Sequence, residues 1–122
     1  MEIQFTIPQR VDLRGTNVTL AYDAPLALGD SGAHLWQIEV TSDGNSVDLS
    51  GYSASLEGVR SDGGAVSQAG TVNGSTASVV LPAAAYKTAG VLTAAMKLIG
   101  TSGQVVTLAR LRARVTDISS MT

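Results

Sequence analysis

The sequence predicts an all-β fold, a single antiparallel β-sandwich with either an immunoglobulin-like or a jelly-roll-like topology. Apolar and polar residues alternate with a period of two in most segments, which is typical of half-buried strands. Turn-forming residues recur at the spacing expected of antiparallel connections. The length of 122 residues suits one domain. We divide it into residues 1–32, which hold N-terminal strands or an arm and a long loop, and the sandwich body, residues 33–122.

The alternation places the strands along the chain. The last strand is the clearest, because two sets of side chains point to opposite faces. One set is Val105, Thr107, Ala109, Leu111, Ala113 and Val115, and the other is Arg110, Arg112 and Arg114. The predicted strands are 2–7, 10–21, 33–41, 51–60, 65–72, 75–81, 90–99 and 104–116.

Turn chemistry separates these strands. Asn73-Gly74 is the strongest hairpin signal, since both central positions of a type I′ turn need a positive φ. Glycine-containing turns are also predicted at 42–45, 61–64 and 100–103. The segment 82–87 combines proline with alanines and predicts a single helical turn. Residues 23–32 predict a loop longer than an ordinary turn.

The N-terminal stretch, residues 1–20, has two interpretations. It forms ordinary first strands interrupted by Pro8, which confines that point to a sheet edge or a break. Alternatively, Ile3, Phe5 and Ile7 belong to an arm that adds to the sheet edge of a neighbouring subunit.

Composition excludes several classes of protein. The formal net charge of −2 argues against a dedicated nucleic-acid-binding protein, and the absence of cysteine excludes disulfides, thiol nucleophiles and cysteine zinc sites. No apolar run is long enough for a membrane-spanning helix. Small side chains predominate, which predicts a thin core and favours a homo-oligomer.

The sequence offers little for catalysis, and we expect no enzyme, no cofactor and no metal. His34 is the one histidine, and its neighbours Asp30 and Ser31 lack the spacing of a catalytic triad. Carboxylates are scattered singly. Asp23 and Asp30 bracket the long loop and could hold a hard cation, but the alternating pattern of a calcium loop is missing.

The clearest charged feature is the arginine ladder, which we define as Arg110, Arg112 and Arg114. It is either a docking stripe for an acidic partner surface or a solvated face whose arginines pair with acids such as Glu57 or Glu39. The ladder is one of three predicted contact surfaces, together with the N-terminal arm and the long loop. The predicted contact residues are Ile3, Phe5, Ile7, Arg10, Leu26, Leu28, Arg110, Arg112 and Arg114.

An ordered series of short motifs resembles a β-sandwich module of tailed-bacteriophage virion proteins, found in baseplate upper protein N-terminal domains and in head-fibre-like proteins. The resemblance covers roughly residues 33–117. The motifs are 47–52 (VDLSGY), 58–63 (GVRSDG), 70–74 (GTVNG), 81–86 (LPAAAY), 89–90 (AG) and 96–98 (MKL).

The resemblance implies a structural role in a virion, without catalysis or cofactor. We therefore expect a capsid decoration or head-fibre-base protein that is made in the host cytoplasm and docks on the capsid exterior. Its expected partners are the major capsid protein or other virion proteins, with no nucleic acid and no membrane. A tail or baseplate component is the alternative. A carbohydrate-binding sandwich is another, although Trp36 and Tyr52 have the positions of core residues and leave few aromatics for sugar stacking.

Overall fold

The computed structural model describes residues 4–13 and 18–117, and for residues 18–25 it describes the backbone. This part of the chain forms strands joined by short turns. The strands are β1 (Phe5–Asp12), β2 (Val18–Ala27), β3 (His34–Ser42), β4 (Asn45–Ser46), β5 (Tyr52–Val59), β6 (Ala65–Ala69), β7 (Thr71–Asn73), β8 (Thr76–Val80), β9 (Gly90–Gly100) and β10 (Val105–Thr116). The predicted helical turn is a 3-10 helix at Ala83–Tyr86.

The strands form two sheets that pack face to face, which confirms the all-β sandwich. Sheet A has the order β1-β3-β8-β7, with β4 beside β3, and sheet B has the order β2-β10-β9-β5-β6. Their inner faces meet in one core. Its largest fully buried side chains are Trp36, Tyr86, Ile7, Leu26, Ile38, Leu49, Leu56, Leu81, Leu92, Met96, Leu108 and Leu111.

Both sheets are mixed, whereas the sequence predicted purely antiparallel pairing. β1 runs parallel to β3, and β2 runs parallel to β10. A two-residue alternation reports which face a side chain occupies and says nothing about strand direction. β1 joins sheet A and β2 joins sheet B, so residues 5–12 and 18–27 are strands of the two sheets.

The first of the two N-terminal interpretations holds for residues 5–12. They form one strand at the edge of sheet A, paired with β3 of the same chain from Phe5 to Asp12. Pro8 lies on a sheet edge, which is one of the two positions predicted for it, and the strand continues through residues 8–9, which the predicted strands left out. Proline lacks an N–H group, and an edge strand tolerates that loss because half of its backbone groups have no partner strand.

The predicted long loop is shorter than expected, because β2 continues to Ala27. Its pairing with β10 shifts register between Ala113 and Val115, so an irregularity takes up residues 23–25. The connection to β3 is then held by backbone hydrogen bonds. Leu28 N donates to Thr116 O at 2.9 Å, and Gly29 N donates to Tyr86 O at 3.0 Å.

The type I′ turn lies in a different hairpin from the one predicted. Ser42 pairs with Asn45, and the two residues between them, Asp43 and Gly44, have φ values of 53° and 82°. In the β7–β8 hairpin Asn73 pairs with Thr76, and the turn residues are Gly74 and Ser75. Only Gly74 has a positive φ there, at 62°, which is typical of a type II′ turn.

A register shift between Thr107 and Ala109 changes the first part of β10. It buries Leu108 beside Ala109 and leaves Val105 exposed, so the single apolar face predicted from Val105 onward begins only at Ala109. Such a bulge places two residues opposite one on the neighbouring strand.

Candidate functional site

The arginine ladder lies on the outer face of sheet B. All three arginines are exposed, while Ala109, Leu111, Ala113 and Val115 between and beside them are buried. The predicted alternation is therefore confirmed beyond the bulge. Successive arginines stand about 6.5–7 Å apart along the strand, as every second residue of a strand does.

The neighbouring strand, β9, places short side chains beside the arginine ladder. β9 places Ala95, Thr93 and Val91 beside Arg110, Arg112 and Arg114 respectively. These short side chains are half-buried. A shallow groove of about 170 Å³ lies over Thr93 and Ala95, between Glu57 and Arg110. The guanidinium groups therefore border a low surface of small residues.

The acids that were expected to pair with the ladder pair elsewhere. Glu57 accepts from Lys97 Nζ at 2.8 Å, and Glu39 lies on sheet A, where it accepts from Arg10 at 3.3 Å. Among the side chains that the structure describes, no carboxylate lies within 4.0 Å of the three ladder arginines. The positive charge of this face is therefore not balanced by described side chains of its own sheet.

A second candidate surface is a cleft beside the 3-10 helix. Its volume is about 500 Å³, and it contains Leu28, one of the predicted contact residues. Two cationic and one anionic side chain border an otherwise apolar wall. The lining residues are Leu28, Gly29, Asp30, Arg60, Ala83, Ala84, Tyr86 and Lys87. Leu28, Gly29 and Asp30 belong to the predicted long loop, but the sequence did not join them to Arg60 or to residues 83–87, because the three segments are far apart in the chain.

One wall of this cleft is fixed by Asp62. Its carboxylate accepts from Arg60 Nε at 3.0 Å, from Gly64 N at 2.8 Å and from Thr88 Oγ1 at 3.0 Å. These donors, led by Arg60, lower the pKa of Asp62 to about 2. Arg60 and Gly64 are close to Asp62 in the chain, whereas Thr88 is distant and gave no signal in the sequence.

His34 is buried and contacts Tyr86 and Phe5. Its side chain is buried, with Nδ1 2.9 Å from the Tyr86 hydroxyl oxygen. The Phe5 ring packs on it at a centroid distance of 5.5 Å. Burial lowers the pKa of His34, and the negative charge of Asp30 opposes part of that shift.

The remaining predicted contact residues divide by burial. Ile7 and Leu26 are fully buried in the core, so they leave the set of surface candidates because their alternating strand positions face the opposite sheet. Phe5 and Arg10 are exposed at the edge of sheet A, with Arg10 in its ion pair to Glu39. Ile3 lies outside the described residues.

The aromatic residues form no stacking platform among the described side chains. Trp36 and Tyr86 are fully buried, and Tyr52 is half-buried with its hydroxyl donating to Gln104 Oε1 at 2.7 Å. Phe5 is the exposed aromatic of this set. The side chain of Tyr22 lies outside the described part. Among the described aromatic side chains, Phe5 is therefore the one that is exposed enough to stack against a sugar ring.

The described residues contain neither a metal-binding cluster nor a membrane-spanning helix. No group of three or more histidine, aspartate or glutamate side chains is placed to hold a metal ion, and the predicted Asp23–Asp30 pair includes a side chain outside the described set. Within those same residues, no helix has the length and apolar character needed to cross a membrane.

Comparison with known proteins gives a likeness of fold. No family model matches the sequence, and no curated protein matches it. Among solved structures, the chain is similar to the N-terminal domain of phage TP901-1 ORF48, with a TM-score of 0.59 and 10% sequence identity. The match covers 91% of this chain and 100% of that chain. The two domains therefore share a sandwich fold over nearly their whole length.

Proposed function

We propose that this chain is a structural protein of a phage virion, acting mechanically and without catalysis. The observation that carries the proposal is the fold it shares with a phage domain, which extends over 91% of the chain. The motif series in residues 33–117 points to the same class of protein. Fold alone does not assign function, so the virion location needs a direct test.

Within the virion, we propose a place on the capsid exterior, as a decoration or head-fibre-base protein. Its support is the exposed, uncompensated arginine ladder, which gives a small acidic domain one charged face with which to dock. Many copies bound to a symmetric shell would hold tightly through avidity even if each contact were weak.

A tail or baseplate position is the second candidate. The matched structure, a domain of a phage protein, is equally compatible with this position, because a shared fold does not fix a place in the virion.

The test is electron microscopy of phage particles with and without this chain. We expect the chain in purified particles, and density on the capsid surface that disappears when its coding sequence is deleted. Density lost from the tail instead would favour the second candidate. A chain absent from purified particles, with particle structure unchanged by the deletion, would refute the virion role.

A further inference from the structure

We propose that the outer face of sheet B binds an extended acidic segment of a partner protein, held by the arginine ladder. In a virion the partner would be a neighbouring virion protein, and that part rests on the proposed function. The binding of an acidic segment rests on the surface alone.

The first argument is charge. The chain has 8 basic and 10 acidic residues, yet three of the basic ones stand on one face of one strand. Glu57, which lies across Ala95 from Arg110, is engaged by Lys97 at 2.8 Å. Arg110 and Arg112 lie beside Thr19 and Ala21 on the other flank, so the register brings no acid next to them. Carboxylates from outside the chain are the complementary group.

The second argument is spacing. The ladder repeats about every 6.5–7 Å, and a segment in extended conformation presents every second side chain on one face with the same repeat. Three acids at alternate positions would therefore meet three guanidinium groups in register. A guanidinium group binds a carboxylate through two parallel N–H donors, which rewards this alignment.

The third argument is shape. The half-buried residues beside the ladder, Val91, Thr93 and Ala95, have short side chains. A groove lies over Thr93 and Ala95, between Arg110 and Glu57. A partner backbone can therefore lie low enough for its acidic side chains to reach the arginines. Val59 on β5 is exposed at the far side of this groove and offers an apolar contact.

The binding test uses two fluorescein-labelled peptides of equal composition and fluorescence anisotropy at low salt. One peptide contains Glu-Thr-Glu-Thr-Glu, and the other contains its three glutamates in succession. We expect the alternating peptide to bind at least threefold more tightly, and its binding to weaken as salt is raised. Equal affinity for the two peptides, or no binding of either, would overturn the proposal.

A matched pair of variants locates the surface. R110Q/R112Q removes two ladder charges, and R10Q/K87Q removes two exposed charges elsewhere, so both change the formal net charge from −2 to −4. We expect the ladder variant to lose at least tenfold in affinity for the alternating peptide and the control variant to lose less than twofold. Similar losses in both would mean that binding follows net charge, which contradicts a defined surface.

Two further measurements test whether the ladder binds nucleic acid or a second copy of the chain instead of an acidic segment. Tighter binding of the ladder to a labelled oligothymidylate than to the alternating peptide would assign the face to nucleic acid. Ladder-dependent self-association in sedimentation, without peptide binding, would assign it to a second copy. Either result refutes the proposal. Peptide binding by a chain that is absent from purified particles would refute the virion role and leave the acidic-segment surface standing.

Discussion

At the scale of single residues, Asp12 joins elements that are far apart in the sequence. It stands at the end of β1, and its carboxylate accepts from Asp43 N at 3.1 Å, from Gly44 N at 3.0 Å and from Thr41 Oγ1 at 3.3 Å. The edge strand therefore holds the β3–β4 turn. Alternation placed Asp12 on a strand but could not reveal these bonds, since the donors lie in another hairpin.

We expect Asp12→Ala to lower the free energy of unfolding by about 1–3 kcal/mol, because it leaves several donors without their acceptor. Urea unfolding monitored by the fluorescence of Trp36 measures the change. Asp48→Ala is the matched control, since that carboxylate accepts from Ser50 N two residues away, and it should cost below about 1 kcal/mol. Equal losses in the two variants would contradict the bridging role of Asp12.

His34 predicts how stability depends on pH. Burial lowers its pKa in the folded chain below the ordinary value of 6.5. As the pH falls, the unfolded chain therefore binds a proton at His34 before the folded chain does. The contribution of His34 to the free energy of unfolding is complete above pH 6.5 and is lost as the pH drops from there toward the folded-state pKa. Asp62 acts in a lower window, between 3.8 and about 2.

Urea unfolding between pH 5 and pH 7.5 checks this prediction. His34 is the one histidine in the sequence, so His34→Asn should flatten the decline below pH 6.5, whatever its effect on stability at pH 7.5. Asp62→Asn should keep the decline. A His34→Asn variant with an unchanged slope would show that other groups cause it.

At the scale of strands and turns, the sequence predicts which face of a sheet a side chain occupies better than it predicts strand direction or turn type. The arginine ladder was predictable because regular alternation from Ala109 to Val115 fixes which side chains point outward. The bulge before it was not, since it depends on pairing with β9. The parallel placement of β1 and β2 escaped prediction for the same reason, because it depends on partners distant in sequence.

The two hairpin turns can be distinguished by one substitution in each. Asp43 has a φ of 53°, a conformation that a β-branched residue disfavours, whereas Asn73 has no positive φ. We therefore expect Asp43→Thr to destabilise the fold by about 1–2 kcal/mol. Asn73→Thr should stay within about 0.5 kcal/mol of the wild type. Thermal unfolding by circular dichroism compares them, and the reverse order would refute the two turn assignments.

At the scale of the whole molecule, one core joins the two sheets, and small side chains make up a large part of it. Its buried alanines are Ala54, Ala77, Ala85, Ala94, Ala109 and Ala113. The larger side chains, twelve of them fully buried, carry most of the packing. Composition predicted a thin core, but which residues meet across the two sheets depends on the topology.

Leu56 tests the core. It is fully buried on the inner face of sheet B, and Leu56→Ala should lower the free energy of unfolding by about 2–5 kcal/mol through lost burial and a residual cavity. Val59→Ala on the same strand is the control. Its side chain is 44% exposed, so its loss should stay below about 1 kcal/mol. Urea unfolding of both variants measures the difference, and a small loss at Leu56 would contradict the described packing.

The pairing of β2 with β10 has a consequence for the order of events during synthesis. β2 leaves the ribosome well before its partner in sheet B, which is the last strand described. The hairpins of β3–β4 and β7–β8 can form as they emerge, because their strands are adjacent in the chain. β2 must wait for β10, so its docking depends on a contact of high sequence separation. Such contacts slow folding, and until then the edge of β2 stays open to other chains.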